Sequence, residues 1–345
     1  MGSLSTAQSR ATRTAALIAT EDEAVTVAGS LAGVFALPAA MAADAIETRL
    51  DLLSRSGLFG ISVPTEQGGI DVSNTVLAEV CAIASGQSET LGRILAGHFV
   101  GVEHVRSQGS DSQRSTVFSA ILAGARLARA FAGETNILAF LPSGLGWRLS
   151  GTALSTPHAR HADWLLVPVR QDMKTAGLLL SAHGEALRYP GENQVLFEDV
   201  LVDGDALLHP IGEAGAHAVP RALDLLLQAA CRLGAARHAL HAFWDDPACH
   251  PGTAGGLSAR LAAAGAMLAE AGRAIDGAQI GLADQHRTNA FLAAVDALAA
   301  AEDAEVSIRQ AAGNESRSAP HLAGILEESG TLRLAEHRRQ PHEET

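Results

Sequence analysis

Aromatic residues are scarce in this chain: Phe, Trp and Tyr make up 4% of 345 residues, with a single tyrosine. A core must therefore come from aliphatic side chains. Hydrophobic residues form 47% of the sequence, enough to build a substantial core in two or three packed units. Cysteine is also rare. Cys81, Cys231 and Cys249 are far apart in sequence and make no CxxC pair, which excludes a disulfide framework and a cysteine-rich metal site and leaves reduced, buried thiols. Positive charge is the minority sign, with 25 Lys and Arg against 38 Asp and Glu and a net charge of −13. Without a dense basic stripe, nucleic acid and anionic membrane surfaces are set aside as partners. No run approaches the roughly 18 apolar residues of a membrane span. Met1 to Thr20 carries Arg10 and Arg13 but no apolar signal-peptide segment. Met1 to Thr6 fits a myristoylation pattern, though one short enough to arise often by chance. The expectation is a soluble, cytoplasmic protein.

What is abundant is Ala, Leu and Gly. Ala and Leu favour helix, and three zones follow along the chain. Residues 14–127 read as a helical domain with short breaks: Gly57 and Gly60 end one helix, Ile61–Pro64 reads as extended, and Asp71 or Ser73 caps the next helix. A further helix begins after Ser88 and carries Ile94, Leu95, Phe99 and Val102. Residues 128–208 change texture. Gly146–Gly151, Asp163–Val169, Gly177–Leu180 and Val195–Val202 alternate or run apolar as strands do, predicting a small antiparallel β domain. Residues 217–335 return to helix, with Arg221–Trp244, then a Pro/Gly break over Pro247–Gly256, then Leu257–Gly281 and Thr288–Ala312. Ala-lined faces suit a tight bundle or a subunit interface.

This order, joined to local motifs, resembles the acyl-CoA dehydrogenase superfamily of flavoproteins. Ser56-Gly57-Leu58-Phe59-Gly60-Ile61-Ser62-Val63-Pro64-Thr65-Glu66-Gln67-Gly68-Gly69 is similar to its G-L-x-G-x-x-x-P-x-E-x-G-G signature. Gly109–Arg114 with Leu122-Ala123-Gly124 resembles its G-S-x-x-Q-K…L-A-G segment, and Val195–Leu201 its V-x-F-D-D-V-x-V strand. The resemblance implies a mainly α fold with a helical amino-terminal domain, a β-barrel-like middle domain and a carboxy-terminal helical bundle. Within the superfamily, Gly97-His98-Phe99-Val100 and Ser155-Thr156-Pro157-His158…Ala162-Asp163-Trp164 are similar to segments of the reduced-flavin monooxygenases that oxidise organosulfur compounds, the dibenzothiophene monooxygenase and sulfur-acquisition branch.

That likeness implies a flavin oxidoreductase using reduced FMN, or FAD, with Phe131, Gly133, Ser155, Thr156 and Trp164 at the cofactor. It implies His98 and the carboxy-terminal His342 as catalytic groups, since histidine titrates near neutrality and can deliver a proton beside the reacting oxygen. On spacing alone His98, on an apolar helix, reads as a core histidine, and His342 as part of a polar tail. The implied partners are a small organosulfur or similar apolar substrate, a separate flavin reductase, and further copies of the chain in a dimer or tetramer joined through the carboxy-terminal helices. His158 and His161, and His238 and His241, lack a third ligand, so no metal is expected. Glu315, Glu327, Glu328 and Glu336 read as solvated, and none is recognisable as a dehydrogenase base. The sequence departs from the pattern in places: Arg129 stands where the monooxygenases have Asn, Pro157 replaces a glycine, and the G-x-R-x-T-x-S-G and R-x-x-F-G elements are missing. Two alternatives therefore stay open, an acyl-CoA dehydrogenase using FAD and a flavin-free homologue with a structural or regulatory role.

Overall fold

A computed structural model describes residues 14–35, 43–131, 138–171, 174–208, 219–245, 249–281, 283–313 and 322–339. Five helices come first: α1 (Glu21–Phe35), α2 (Ala43–Arg55), α3 (Asn74–Gln87), α4 (Glu89–Gln108) and α5 (Asp111–Leu122). Their boundaries follow from local chemistry. Ser88 caps α4 by accepting from the Leu91 N–H, and Ser110 with Gln113 closes a capping box on α5. Gly57, in the left-handed region at φ 86°, ends the α2 segment as expected of a glycine there. The stretch Ile61–Pro64 is not extended. It is a run of tight turns between the 3-10 helices Leu58–Gly60 and Thr65–Gln67, held by Val72 and Asp71 N–H groups donating to Ile61 and Val63 carbonyls. Gly69 is required there, because a Cβ would lie 2.0 Å from the Val63 oxygen.

Seven strands follow: β1 (Leu127–Phe131), β2 (Ala139–Ser143), β3 (Gly146–Ser155), β4 (Trp164–Gln171), β5 (Lys174–Ser181), β6 (Leu187–Gly191) and β7 (Gln194–Val202). The order is β5-β4-β1-β3-β7-β6, with β2 on β3. The expectation of a purely antiparallel domain is corrected at its centre, where β1 and β4 pair in parallel. β1, β2 and β6 were not expected as strands: each is five residues long, too short to show a period. β4 explains why its sequence reads as a continuous apolar run. Leu165, Val167 and Val169 pack into the sheet's own core, while Trp164 and Leu166 pack with the helices, so both faces are buried.

Four helices follow among the described residues: α6 (Val219–Trp244), α7 (Pro251–Ile280), α8 (Asp284–Ala311) and α9 (Leu322–Arg339). α7 starts six residues earlier than its periodicity implied, within the expected Pro/Gly break. Pro251 occupies the first turn, where its missing N–H costs nothing, and the His250 ring accepts from the Gly252 N–H. The main core joins α1 to α5 with α6 to α9 and one face of the sheet. α3 crosses α6 closely, so that a Cβ at Gly234 would stand 2.0 Å from the Ala82 carbonyl oxygen. Glu328 is not simply solvated: both its oxygens take Arg221 guanidinium N–H groups, at 2.8 and 2.5 Å, and so tie α9 to α6. Among the described residues no helix is long and apolar enough to cross a membrane.

Candidate functional site

α4 lies against β1 because two glycines on its face leave room. At Gly97 a Cβ would meet Thr156 Oγ1 at 2.7 Å, and at Gly101 it would meet Leu127 Cδ2 at 1.7 Å. Between them sits His98, 0% exposed. Its Nε2–H donates to the Phe59 carbonyl at 2.9 Å and its Nδ1 accepts from the Leu127 N–H at 3.1 Å. The ring packs on Phe59 with centroids 4.5 Å apart. Burial pulls its pKa down to about 4. His98 is therefore a neutral imidazole that ties the Gly57–Gly60 turn to the first strand, with both ring nitrogens taken by main chain.

Thr156 is similarly engaged. Its N–H donates to the Arg129 carbonyl at 2.8 Å, and its hydroxyl oxygen accepts from the Arg129 N–H at 3.0 Å. The Arg129 side chain then leaves the sheet, passes over the Phe131 ring (5.1 Å) and pairs with Asp224 on α6 at 2.9 Å. This pair spans sheet and bundle. His104, one turn and a half beyond His98 on α4, feels it: burial first, and then the Arg129 charge, bring its pKa to about 3.

Two polar atoms next to β1 have no hydrogen-bond partner among the described residues. Ser155 is 2% exposed and pairs in register with Ala130, while Trp164 is 4% exposed and pairs with Leu127. Ser155 Oγ and Trp164 Nε1 are both buried and unsatisfied, a condition that costs free energy unless something fills it. His158, next along the turn, holds the left-handed conformation at φ 56° and also has an unpartnered, buried Nδ1. The cavity beside them, lined by Leu50, Phe59, Leu127, Thr156, Pro157 and His158 among others, measures about 20 Å³, room for one water.

A far larger cleft, about 830 Å³, lies near Glu103, Arg106, Arg114, Val219, Gln279 and Arg287. Glu103 is 5% exposed, accepts from Gln279 Nε2 at 2.9 Å, and has its pKa pushed up to about 7 by burial. Arg106 beside it is held by both oxygens of Asp71. Sequence reasoning missed Glu103, His104 and Asp224. The available signal was the Glu103-His104 pair interrupting the apolar run Phe99–Val105. A buried hub at Arg126 was missed too: its N–H reaches Asp163, its Nε reaches Ser54, and its guanidinium pairs with Asp51. Gly133 and His342 lie outside the described residues. Among the described residues no three His, Cys, Asp or Glu side chains gather as a metal would require.

This geometry can be set against solved structures. The chain matches FMN-bound TdsC, a dibenzothiophene monooxygenase from Paenibacillus sp. A11-2, at TM-score 0.73 and 20% identity over 88% of this chain and 90% of that one. Methanesulfinate monooxygenase MsuC from Pseudomonas fluorescens matches at TM-score 0.74 and 17% identity over 87% and 89%. Butyryl-CoA dehydrogenase from Megasphaera elsdenii matches at TM-score 0.67 and 14% identity over 92% and 94%. The chain has the acyl-CoA dehydrogenase fold. No protein-family model and no curated protein matches the sequence. Within this acyl-CoA dehydrogenase fold, Phe131, Ser155, Thr156 and Trp164 gather on β1 and the strands beside it, and His98 supports β1 from α4.

Proposed function

We propose that the chain is a flavin-dependent monooxygenase that takes reduced FMN from a separate reductase and acts on a small organosulfur or similarly apolar substrate. The observation that carries this reading is the buried Trp164 Nε1 beside β1, unsatisfied among the described residues and on the face that packs with the helices. An isoalloxazine edge offers the acceptor that such a group lacks. The ring would supply the redox chemistry when bound, and the chain would supply orientation, charge and exclusion of water. Trp164 Nε1–H would hold its polar edge, with Phe131 against its plane. Arg129 would place a cation beside it. His98 acts in this reading by position, keeping β1 in place under Thr156. FMN, with one phosphate, asks less of the surface than FAD.

Two features favour the alternatives. Glu103, buried at the large cleft with a pKa near neutrality, has the proton affinity a dehydrogenase base needs. The Arg129–Asp224 bridge and the small cavity beside Thr156 suit a flavin-free relative.

The test is an anaerobic titration with FMN, reduced FMN and FAD, followed by absorbance, on wild type and Trp164→Phe. Removing an unsatisfied buried N–H should stabilise the flavin-free protein by about 1 kcal/mol. The same change should weaken flavin binding roughly 3- to 10-fold, since one neutral hydrogen bond is lost. Failure of all three flavins to bind would leave only the flavin-free reading. Tighter binding of FAD, with acyl-thioester-dependent reduction, would move the assignment to a dehydrogenase.

A further inference from the structure

Three buried acceptors surround one chamber where α3, α4 and α7 meet. Asn74, 1% exposed, is the first residue of α3. Its backbone N–H and its Nδ2 both donate to Asp276 Oδ1, at 2.9 and 2.6 Å, and Nδ2 also donates to Gln279 Oε1 at 2.9 Å. With both amide hydrogens spent on acceptors the orientation of the group is fixed. Its Oδ1 is left without a donor among the described residues. Ser62, 7% exposed in the run of turns before α3, has an equally unpartnered Oγ. Glu103 on α4 accepts from Gln279 with one oxygen, and its other oxygen meets no donor among the described residues.

These three residues line a chamber of about 10 Å³ together with Phe99, Arg106 and Gln279. That is room for one water-sized group. Arg106, the cation in its wall, is neutralised by both oxygens of Asp71, at 2.7 and 3.0 Å. The chamber therefore has a surplus of acceptors. Glu103, Arg106 and Gln279 also line the 830 Å³ cleft, so the chamber lies against its inner wall. The other arginines of the cleft are each answered by an aspartate, Arg114 by Asp111 and Arg287 by Asp284. Glu66 and Glu103 have no ion-pair partner among the described residues, which leaves the cleft negative. Arg287 Nε, also unpartnered, belongs to the outer cleft and not to the chamber.

An alkyl ammonium answers this arrangement. Its head is water-sized and carries three N–H donors and no acceptor, and its charge strengthens a hydrogen bond to a carboxylate. A water has two hydrogens to offer three acceptors. We propose that the cleft is a binding site for a primary alkylamine, whose ammonium head enters the chamber and donates to Asn74 Oδ1, Ser62 Oγ and Glu103, and whose organic tail lies in the cleft along Pro64, Val219 and Pro220. The site is separate from the groups on β1, and nothing in it depends on flavin binding.

Full-length protein is titrated calorimetrically at about pH 8.5 with n-hexylamine, hexanoate, hexanol and hexyltrimethylammonium. Burial holds Glu103 near 7, so it is ionised there, while an alkyl ammonium keeps its proton as lysine does. Hexylamine should bind with a Kd below about 1 mM, at least roughly 10-fold more tightly than the other three probes. Glu103→Gln, which keeps an oxygen for Gln279, should weaken hexylamine binding by at least about 10-fold. Ser62→Ala strands no partner and should weaken it about 3-fold, a readout that survives if the Glu103→Gln protein fails to fold. Equal binding of hexyltrimethylammonium would show attraction by charge without the three donors, and would overturn the proposal. Tighter binding of hexanoate would do the same, as would hexylamine binding that neither substitution weakens. Failure of hexylamine to bind would leave the chamber to water and overturn it too.

Discussion

Replacing His98 by leucine should lower stability by roughly 4 kcal/mol, measured by urea unfolding. Leucine fills most of the ring's space but leaves the Phe59 carbonyl and the Leu127 N–H buried without partners, at about 1–3 kcal/mol each. The protein loses a tie between the Gly57–Gly60 turn and β1. A loss under about 1 kcal/mol, too small for two stranded groups, would show that those groups find other partners. The same variant carries a pH signature. His98 is held near 4 in the folded protein against an ordinary 6.5. As pH falls through 6.5 the unfolded chain gains a proton before the folded one does, so the stability due to neutral His98 is complete above 6.5 and is lost toward 4. The stability difference between wild type and His98→Leu should therefore shrink by about 1.4 kcal/mol per pH unit across that window. His104 contributes with the same sign. Glu103 opposes both: raised to about 7, it stabilises the fold at low pH, and that contribution fades as pH rises through 7. A wild-type curve that climbs by about 1.4 kcal/mol per unit from pH 5 to 6, the slope of a single group, is the expected sum.

Alanine at Gly234 should cost about 3 kcal/mol even though alanine is the better helix former. The new Cβ would stand 2.0 Å from the Ala82 oxygen, and main chain cannot yield as a side-chain tip can. α3 and α6 would have to separate. Gly265→Ala on α7 supplies the contrast: nothing lies within 4 Å of the added carbon, so helix propensity alone acts and stability should rise by up to about 1 kcal/mol. Thermal unfolding of the two variants checks both signs. Equal effects would mean that the α3–α6 crossing tolerates a wider spacing.

Much of the fold was legible because burial imposes a period. α4 repeats Leu91, Ile94, Leu95, His98, Phe99, Val102 and Val105 on one side, the interval at which a helix meets a core. β4 and β5 stood out as apolar runs because both sheet faces are covered. β1 and β6 did not, being five residues each. Ser155, Thr156 and Trp164 were found through their likeness to a motif, which marks local sequence but not what a side chain touches.

The sequence alone determined the long helices, the longer strands and the glycine turns, since those depend on neighbours a few positions away: the helix start after Ser88, the turn at Gly57, the apolar run of β4. Tertiary structure alone decided the chemistry. Arg129 and Asp224 are 95 positions apart, and Gln279 and Glu103 are 176 apart. Neither pairing has a local signature. Whether a histidine is a titrating acid or a neutral tie is set by which groups the packed chain removes from water together. Desolvation belongs to the three-dimensional neighbourhood, and no short stretch of residues encodes it.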